Sequence, residues 1–276
     1  MFRKPRCPRL ASAVAVATLL LCAGATQARE PLYGALTDPA LLKCEDQHWH
    51  GHTNEAGNCY RDLSVNAKAP GIRAEALWAL GDLQGANAAF RQAVDAEPKN
   101  AMLRVRWGEL FTQTYQYDEA DKLFDEALVI DDKNAWAKIG SALALANGGG
   151  EGKVVDKLMH EVIDNELAPK GARYRGFLTA IHSALSKDRF DEAADAIKEA
   201  RSVAEAGKLP QLELYALEAS RQFMLLQPYQ NYIDQALKED PAYGDAWAIP
   251  GHYAMITRRY RESGTFYEKA VAIEPT

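Results

Sequence analysis

Basic charge is in short supply in this chain: its 276 residues include 32 Lys and Arg against 38 Asp and Glu, a formal net charge of −6. Nucleic-acid binding depends on Lys and Arg neutralising phosphates, so this balance argues against a nucleic-acid partner. No H-E-x-x-H or G-x-S-x-G run occurs, and with them go two familiar hydrolase sites. The glycine-rich stretch from Asn147 to Gly152 is followed by Lys153 and Val154, with a helical pattern before it. A phosphate loop needs G-x4-G-K-[ST] after a strand, so this one is excluded. Long apolar runs are also missing, because Leu10 to Ala25 falls short of the ~20 residues a spanning helix needs. With 47% hydrophobic and 25% charged residues, the chain is nonetheless an ordinary globular one and not a disordered one.

The first 28 residues differ from the rest. Arg3, Lys4, Arg6 and Arg9 precede the apolar run, and Thr26-Gln27-Ala28 supplies a small-residue exit, which is the pattern of a secretory signal peptide. Residues 1–28 are therefore expected to be cleaved, residues 29–36 to form a linker and residues 37–276 to fold. Leu21 before Cys22 is too bulky for a lipoprotein signal. Cleavage leaves 28 basic against 38 acidic side chains, a balance of −10, and the expected location is periplasmic or secreted. Of four cysteines only Cys44 and Cys59 remain, and in an oxidising compartment two thiols most simply pair. Their separation in space is not given by the sequence.

A stripe of small, large and small residues recurs along the chain. Ala120, Phe124 and Ala127 lie on one helical face, preceded by Val105, Trp107, Gly108, Phe111 and Tyr117, and together they specify a packed helical hairpin. The stripe appears 34 residues earlier as Ala86, Phe90 and Ala93 before Pro98. It returns as Ala193, Ile197 and Ala200, as Tyr229, Ile233 and Ala236 before Pro241, and 34 residues on as Ser263, Tyr267 and Ala270 before Pro275. Weaker copies stand at Ala56, Tyr60 and Leu63 and at Val155, Met159 and Val162. These residues resemble the tetratricopeptide repeats, whose unit reads W-x2-L-G-x2-Y, then A-x3-F, A and P. Trp247, Gly251, Tyr260, Ser263, Tyr267, Ala270 and Pro275 match it closely. The resemblance implies an all-α, right-handed α-solenoid of about seven repeats, near 37–66, 67–100, 101–134, 135–170, 174–207, 210–243 and 244–276.

Irregularities follow from the same residues. Asp38-Pro39 is a good helix start, and the first copy is expected to have a short second helix. Gly207-Lys208-Leu209-Pro210 is expected to bend the solenoid, and Pro250 to kink the last repeat's first helix or delay its start. The sequence ends on the last repeat's second helix without the polar capping helix solenoids usually carry, so either a partner or further chain is expected there.

Chemistry has few candidates. Cys44, His48, His50 and His52 have zinc-ligand donors, but a turn at Gly51 scatters the last two and Cys44 is a disulfide candidate, so no metal or cofactor is assigned. His160, His182 and His252 sit in separate repeats without a nucleophile motif, and acidic pairs such as Asp118-Glu119 suit helix N-termini. The chain is accordingly read as non-catalytic. The resemblance implies that inward positions of each first helix line a concave face, here Met102, Val105, Trp136, Ile139, Leu143, Leu178, His182, Leu214, Glu218, His252 and Met255. Trp136, Ile139, Leu178 and Leu214 are the expected anchors for a protein or peptide segment, with Glu75, Glu109 and Arg175 beside them. The cover could equally be a further domain of the same chain. The alternative reading is that these repeats precede the catalytic domain of a larger envelope enzyme, such as a hydrolase, beyond Thr276.

Overall fold

The computed structural model describes residues 33–273, all of whose regular structure is helical. The signal-peptide pattern of residues 1–28 lies outside the described residues. Among the described residues fourteen helices form seven hairpins. These are α1 (Pro39–Trp49) with α2 (Thr53–Asn66), α3 (Pro70–Ala79) with α4 (Leu83–Ala96), and α5 (Ala101–Gln113) with α6 (Tyr117–Ile130). There follow α7 (Ala135–Gly148) with α8 (Gly152–Ile163), α9 (Lys170–Ser186) with α10 (Phe190–Gly207), α11 (Leu212–Met224) with α12 (Gln230–Glu239), and α13 (Asp245–Ile256) with α14 (Tyr260–Ile273).

Local chemistry sets the helix starts. Asp38 accepts hydrogen bonds from the Ala40 and Leu41 amides ahead of Pro39. Asp82 accepts from the Gly85 amide and Asn134 from that of Ala137, satisfying donors that would otherwise have no partner. The turns inside the seven hairpins are built alike. Each holds one residue in the left-handed region, namely Gly51, Gly81, Tyr115, Gly149, Asp188, Leu226 and Arg258. The next amide in each case bonds back five residues, as His52 does to Gln47 and Gln116 to Phe111, both at 2.9 Å. This closes the helix end in a Schellman turn. Only three of the seven positions are glycine, so the shared turn is invisible to a scan for glycines.

The odd-numbered helices pack on one another from α5 to α13, whereas the even-numbered ones touch mainly their hairpin partners and the next odd helix. An inner row in mutual contact and an outer row spread apart make a curved solenoid whose concave face belongs to the odd helices. Burial follows that division: α9 buries ten residues and α10, one residue longer, only five. The stripe found in the sequence is the glue between rows. Phe124 on α6 is fully buried, with its ring where a Cβ on Gly108 or Gly140 would stand, 2.9 and 2.2 Å away. Each such ring contributes ~1.5–3 kcal/mol of burial, and the two glycines let α5 and α7 close around it.

One expectation is corrected and another narrowed. The second helix of the first hairpin is not short: α2 has 14 residues, as α4 and α6 do, because Ala56 and Tyr60 pack on Leu41 and Cys44 of α1. Pro250 does not delay α13, which begins at Asp245 and runs through it. The Cys44–Cys59 disulfide ties α1 to α2.

The first hairpin also reaches the far end of the solenoid. A Cβ on Gly51 would lie 3.0 Å from Asp240 Oδ1 and 3.2 Å from Pro241, so its turn sits against the loop joining α12 and α13. Ahead of α1, Tyr33 is only 4% exposed although it falls in the stretch expected to be a linker.

Candidate functional site

The concave face carries a row of charged and polar side chains drawn mainly from the odd helices. At its near end the Tyr60 hydroxyl donates to Glu45 at 2.9 Å. Arg106 on α5, essentially unexposed, grips Glu75 on α3 with two hydrogen bonds of 2.8 and 3.0 Å and also donates to Glu109. Burial alone would lower the Arg106 pKa, but Glu109 and Glu75 outweigh it and raise the guanidinium above its ordinary value. Glu109 accepts a further hydrogen bond from Arg175 on α9, two hairpins along. That pair spans the solenoid's inner curve and holds the third hairpin to the fifth.

Beyond Arg175 lies a cavity of about 550 Å³. Leu143, Ala146 and Asn147 of α7 form one wall, α9 from Arg175 to Ser186 forms the floor, and Lys187, Glu213, His252, Tyr253 and Tyr33 complete it. His182 is among the residues lining it. Its Nδ1 meets the Tyr253 hydroxyl at 2.8 Å and its Nε2 meets Glu213 Oε1 at 3.1 Å. The Nε2–H donates to the carboxylate, which fixes how the ring is turned. Burial would raise the Glu213 carboxyl, but the bonds from His182 and Tyr33 and the nearby charge of Arg175 hold it below its usual value. Burial, and then the charge of Glu213, push the Tyr253 phenol well above its ordinary range. Burial, and then the charge of His182, lower His252. Both ring nitrogens of His182 are engaged, so in this arrangement the imidazole positions its neighbours and is not presented as a free base.

Tyr33 closes the cavity from the N-terminal side. Its hydroxyl donates to Glu213 Oε2 at 3.2 Å, and its ring meets Tyr174 edge-on, centroids 5.4 Å apart, and Trp49 at 6.3 Å. Its carbonyl oxygen occupies the place a side chain would take on Gly171, 1.7 Å from an ideal Cβ. The backbone there has φ of 45°, a left-handed conformation costing a non-glycine residue ~1–2 kcal/mol. Tertiary contacts hold it there.

The sequence-derived list divides. Leu143, Leu178, His182 and His252 line the cavity. Val105, Trp136, Ile139 and Leu214 are buried in the core, and Leu178 is a floor residue only 2% exposed, so the four expected anchors are packing residues between inner helices. Correction is also due for Glu218: it pairs with Arg221 at 3.4 Å in a separate groove with α10 and Tyr232 of α12. Met102 is partly buried against Asn134, whose amide lies 3.8 Å from its sulfur. Met255 is half-exposed near the end of α13 and does not line the cavity. The functional side chains missed by the inward-position rule are Tyr33, Arg106, Glu213 and Tyr253. Glu213 and Tyr253 each stand one residue from an expected position, Leu214 and His252, so the local helix rotation decides which points inward. Tyr33 carries no local signal at all.

Cys44, Cys59 and the neighbouring histidines do not form a ligand set, since the disulfide removes the Cys44 thiolate.

With this geometry in view, likeness to known proteins is informative. Residues 77–146 match the sequence profile of a tetratricopeptide repeat. No curated protein matches the chain in sequence. Among solved structures, a chain of the APC/C hetero-tetramer Cut9–Hcn1 superposes with a TM-score of 0.59 at 14% identity, over 87% of this chain and 47% of that one. This chain therefore spans about half the length of that relative. A tetratricopeptide repeat protein from Parabacteroides merdae superposes with a TM-score of 0.53 at 14% identity, over 85% of this chain and 92% of its own. PilF of Pseudomonas aeruginosa gives 0.50 at 15% identity, over 81% and 94%. At such identities the likeness speaks for the fold. The helix pairs, the repeated stripe and these neighbours agree on a tetratricopeptide-type solenoid fold, within which residues 77–146 match the tetratricopeptide repeat family itself.

Proposed function

We propose that this protein is a secreted or periplasmic scaffold that captures a segment of another protein on its concave face, by burial and without catalysis. A tetratricopeptide fold suggests a protein- or peptide-binding scaffold, and the carrying observation is the cavity of about 550 Å³ lined by His182 and its partners Glu213 and Tyr253. Leu143 and Ala146 give it an apolar patch on the α7 wall, while Asn147, Lys187, His252 and the His182–Glu213 pair supply polar groups. An apolar patch with a few convergent polar groups is what a bound segment needs for affinity and register. No described helix is long and apolar enough to cross a membrane. The disulfide supports an oxidising location.

A photo-crosslinking residue tests this. Placed at Ser186 on the cavity rim, it yields a partner adduct in intact cells. Placed at Val129, 88% exposed on the outer helix α6, it does not. Adducts at Val129 alone, or equally at both positions, overturn the assignment. Secretion is checked by the mass of the exported protein, which should lack residues 1–28 and contain no alkylatable thiol.

A further inference from the structure

The concave face already holds a peptide segment, and that segment is the chain's own. Tyr33 projects from ahead of α1, crosses to α9 and α11 and fills a subsite whose parts come from three separate hairpins: Trp49, Tyr174 and Gly171, and Glu213. Three features set this apart from incidental packing. The phenol hydroxyl has a dedicated acceptor in Glu213, itself braced by His182. The backbone carbonyl enters a notch that exists only because residue 171 lacks a side chain. Tyr33 and Gly34 both take left-handed conformations, with φ of 45° and 83°, so the segment is bent to fit the face and does not merely lie on it. The subsite also opens directly into the cavity, of which Tyr33 forms one wall.

We propose that Tyr33–Leu36 is an in-cis ligand of the concave face, and that the partner is a peptide segment bearing a tyrosine that docks by taking the place of Tyr33. This rests on the reading of the concave face as the binding face. A tyrosine is specified because the ring is gripped between two aromatic side chains while its hydroxyl reaches a carboxylate. Phenylalanine forfeits the second contact and smaller side chains forfeit both. A tethered ligand competes at high effective concentration, so the wild-type protein presents an available subsite only in the fraction of molecules whose Tyr33 has left it.

The test uses the acetylated peptide Tyr-Gly-Ala-Leu-Thr, the sequence of residues 33–37, added in trans to the full-length protein and followed by titration calorimetry or chemical-shift changes. Tyr33→Ala empties the subsite and is expected to bind the peptide at least about tenfold more tightly than wild type. Tyr33→Phe preserves the ring packing and the fold and gives an intermediate affinity. Gly171→Ala blocks the carbonyl notch, so neither it nor the Tyr33→Ala, Gly171→Ala double variant binds the peptide, although alanine favours the helix more than glycine does. The peptide with alanine in place of tyrosine is inactive throughout. Equal affinity for wild type, Tyr33→Phe and Tyr33→Ala, or an alanine peptide as good as the tyrosine one, overturns the proposal. Partner adducts at Ser186 combined with that result would leave the concave-face reading standing and remove only the displacement of Tyr33.

Discussion

Removing the Arg106 guanidinium is the sharpest test of how the inner row is held together. In Arg106→Met a side chain of similar length remains, but Glu75, 1% exposed, loses both of its hydrogen bonds from Arg106 and Glu109 loses one. At an effective dielectric of about 20, unit charges ~4 Å apart attract by about 4 kcal/mol. Breaking a buried pair by removing one partner costs about 3–5 kcal/mol, because the surviving charge is left without compensation. The midpoint of unfolding should therefore fall by on the order of 10 °C for a chain of this size, with a matching decrease in urea midpoint at unchanged slope. Arg106→Met together with Glu75→Leu replaces the main pair by apolar side chains while Arg175 continues to hold Glu109, and should recover most of the loss. A loss below about 1 kcal/mol in the single variant, or a double variant as unstable as the single, would refute the view that Arg106 works by compensating buried carboxylates.

Other perturbations discriminate equally well. Gly140→Ala places a Cβ 2.2 Å from the Phe124 ring, and overpacking costs of about 1–3 kcal/mol should exceed the helix-propensity gain of about 1 kcal/mol. Gly264→Ala, which meets nothing within 4 Å on α14, should instead stabilise, so paired thermal melts must give opposite signs. Reducing the Cys44–Cys59 bridge, which closes a loop of 15 positions, should cost about 3 kcal/mol confined to the first hairpin. Faster amide exchange in α1 and α2 alone would show it, and uniform acceleration would contradict it. Glu213 is held below its ordinary pKa chiefly by His182 acting against burial, so its contribution is present above the unfolded carboxylate value and is lost as pH falls through the folded one. His182→Gln removes that contribution, so the variant should be less stable at neutral pH and should lose less further stability than wild type as pH falls from about 6 to 3 in urea. Superimposable curves would show that His182 does not brace the carboxylate.

The repeat was legible because it is local. Ala120, Phe124 and Ala127 share a face by helical spacing alone, and Gly108 leaves room beside them, so the hairpin and its recurrence can be read without a structure. The resemblance to tetratricopeptide repeats, and not spacing, placed His182, Leu143, Leu178 and His252 inward, and all four line the cavity. It erred at Val105, Trp136, Ile139 and Leu214, which are apolar and on inner helices yet buried. On a tightly curved solenoid the inner helices touch one another, and apolar side chains at that contact pack there before any partner can reach them. What remains exposed on the concave face is polar or half-buried.

The helical repeat, its period and the pairing of small residues with aromatics are written in the amino-acid order, because they depend on contacts within one hairpin or between adjacent ones. The tertiary structure alone decided where Tyr33 goes, which of Glu213 and Leu214 faces inward, and that Arg175 completes a charge chain begun at Glu75. Those choices depend on the curvature accumulated over several hairpins, which brings residues more than sixty positions apart within hydrogen-bonding distance, as Glu109 and Arg175 are, and Tyr33 and Glu213 across 180. Curvature is the sum of small packing angles at every interface, and no single stretch of sequence contains it.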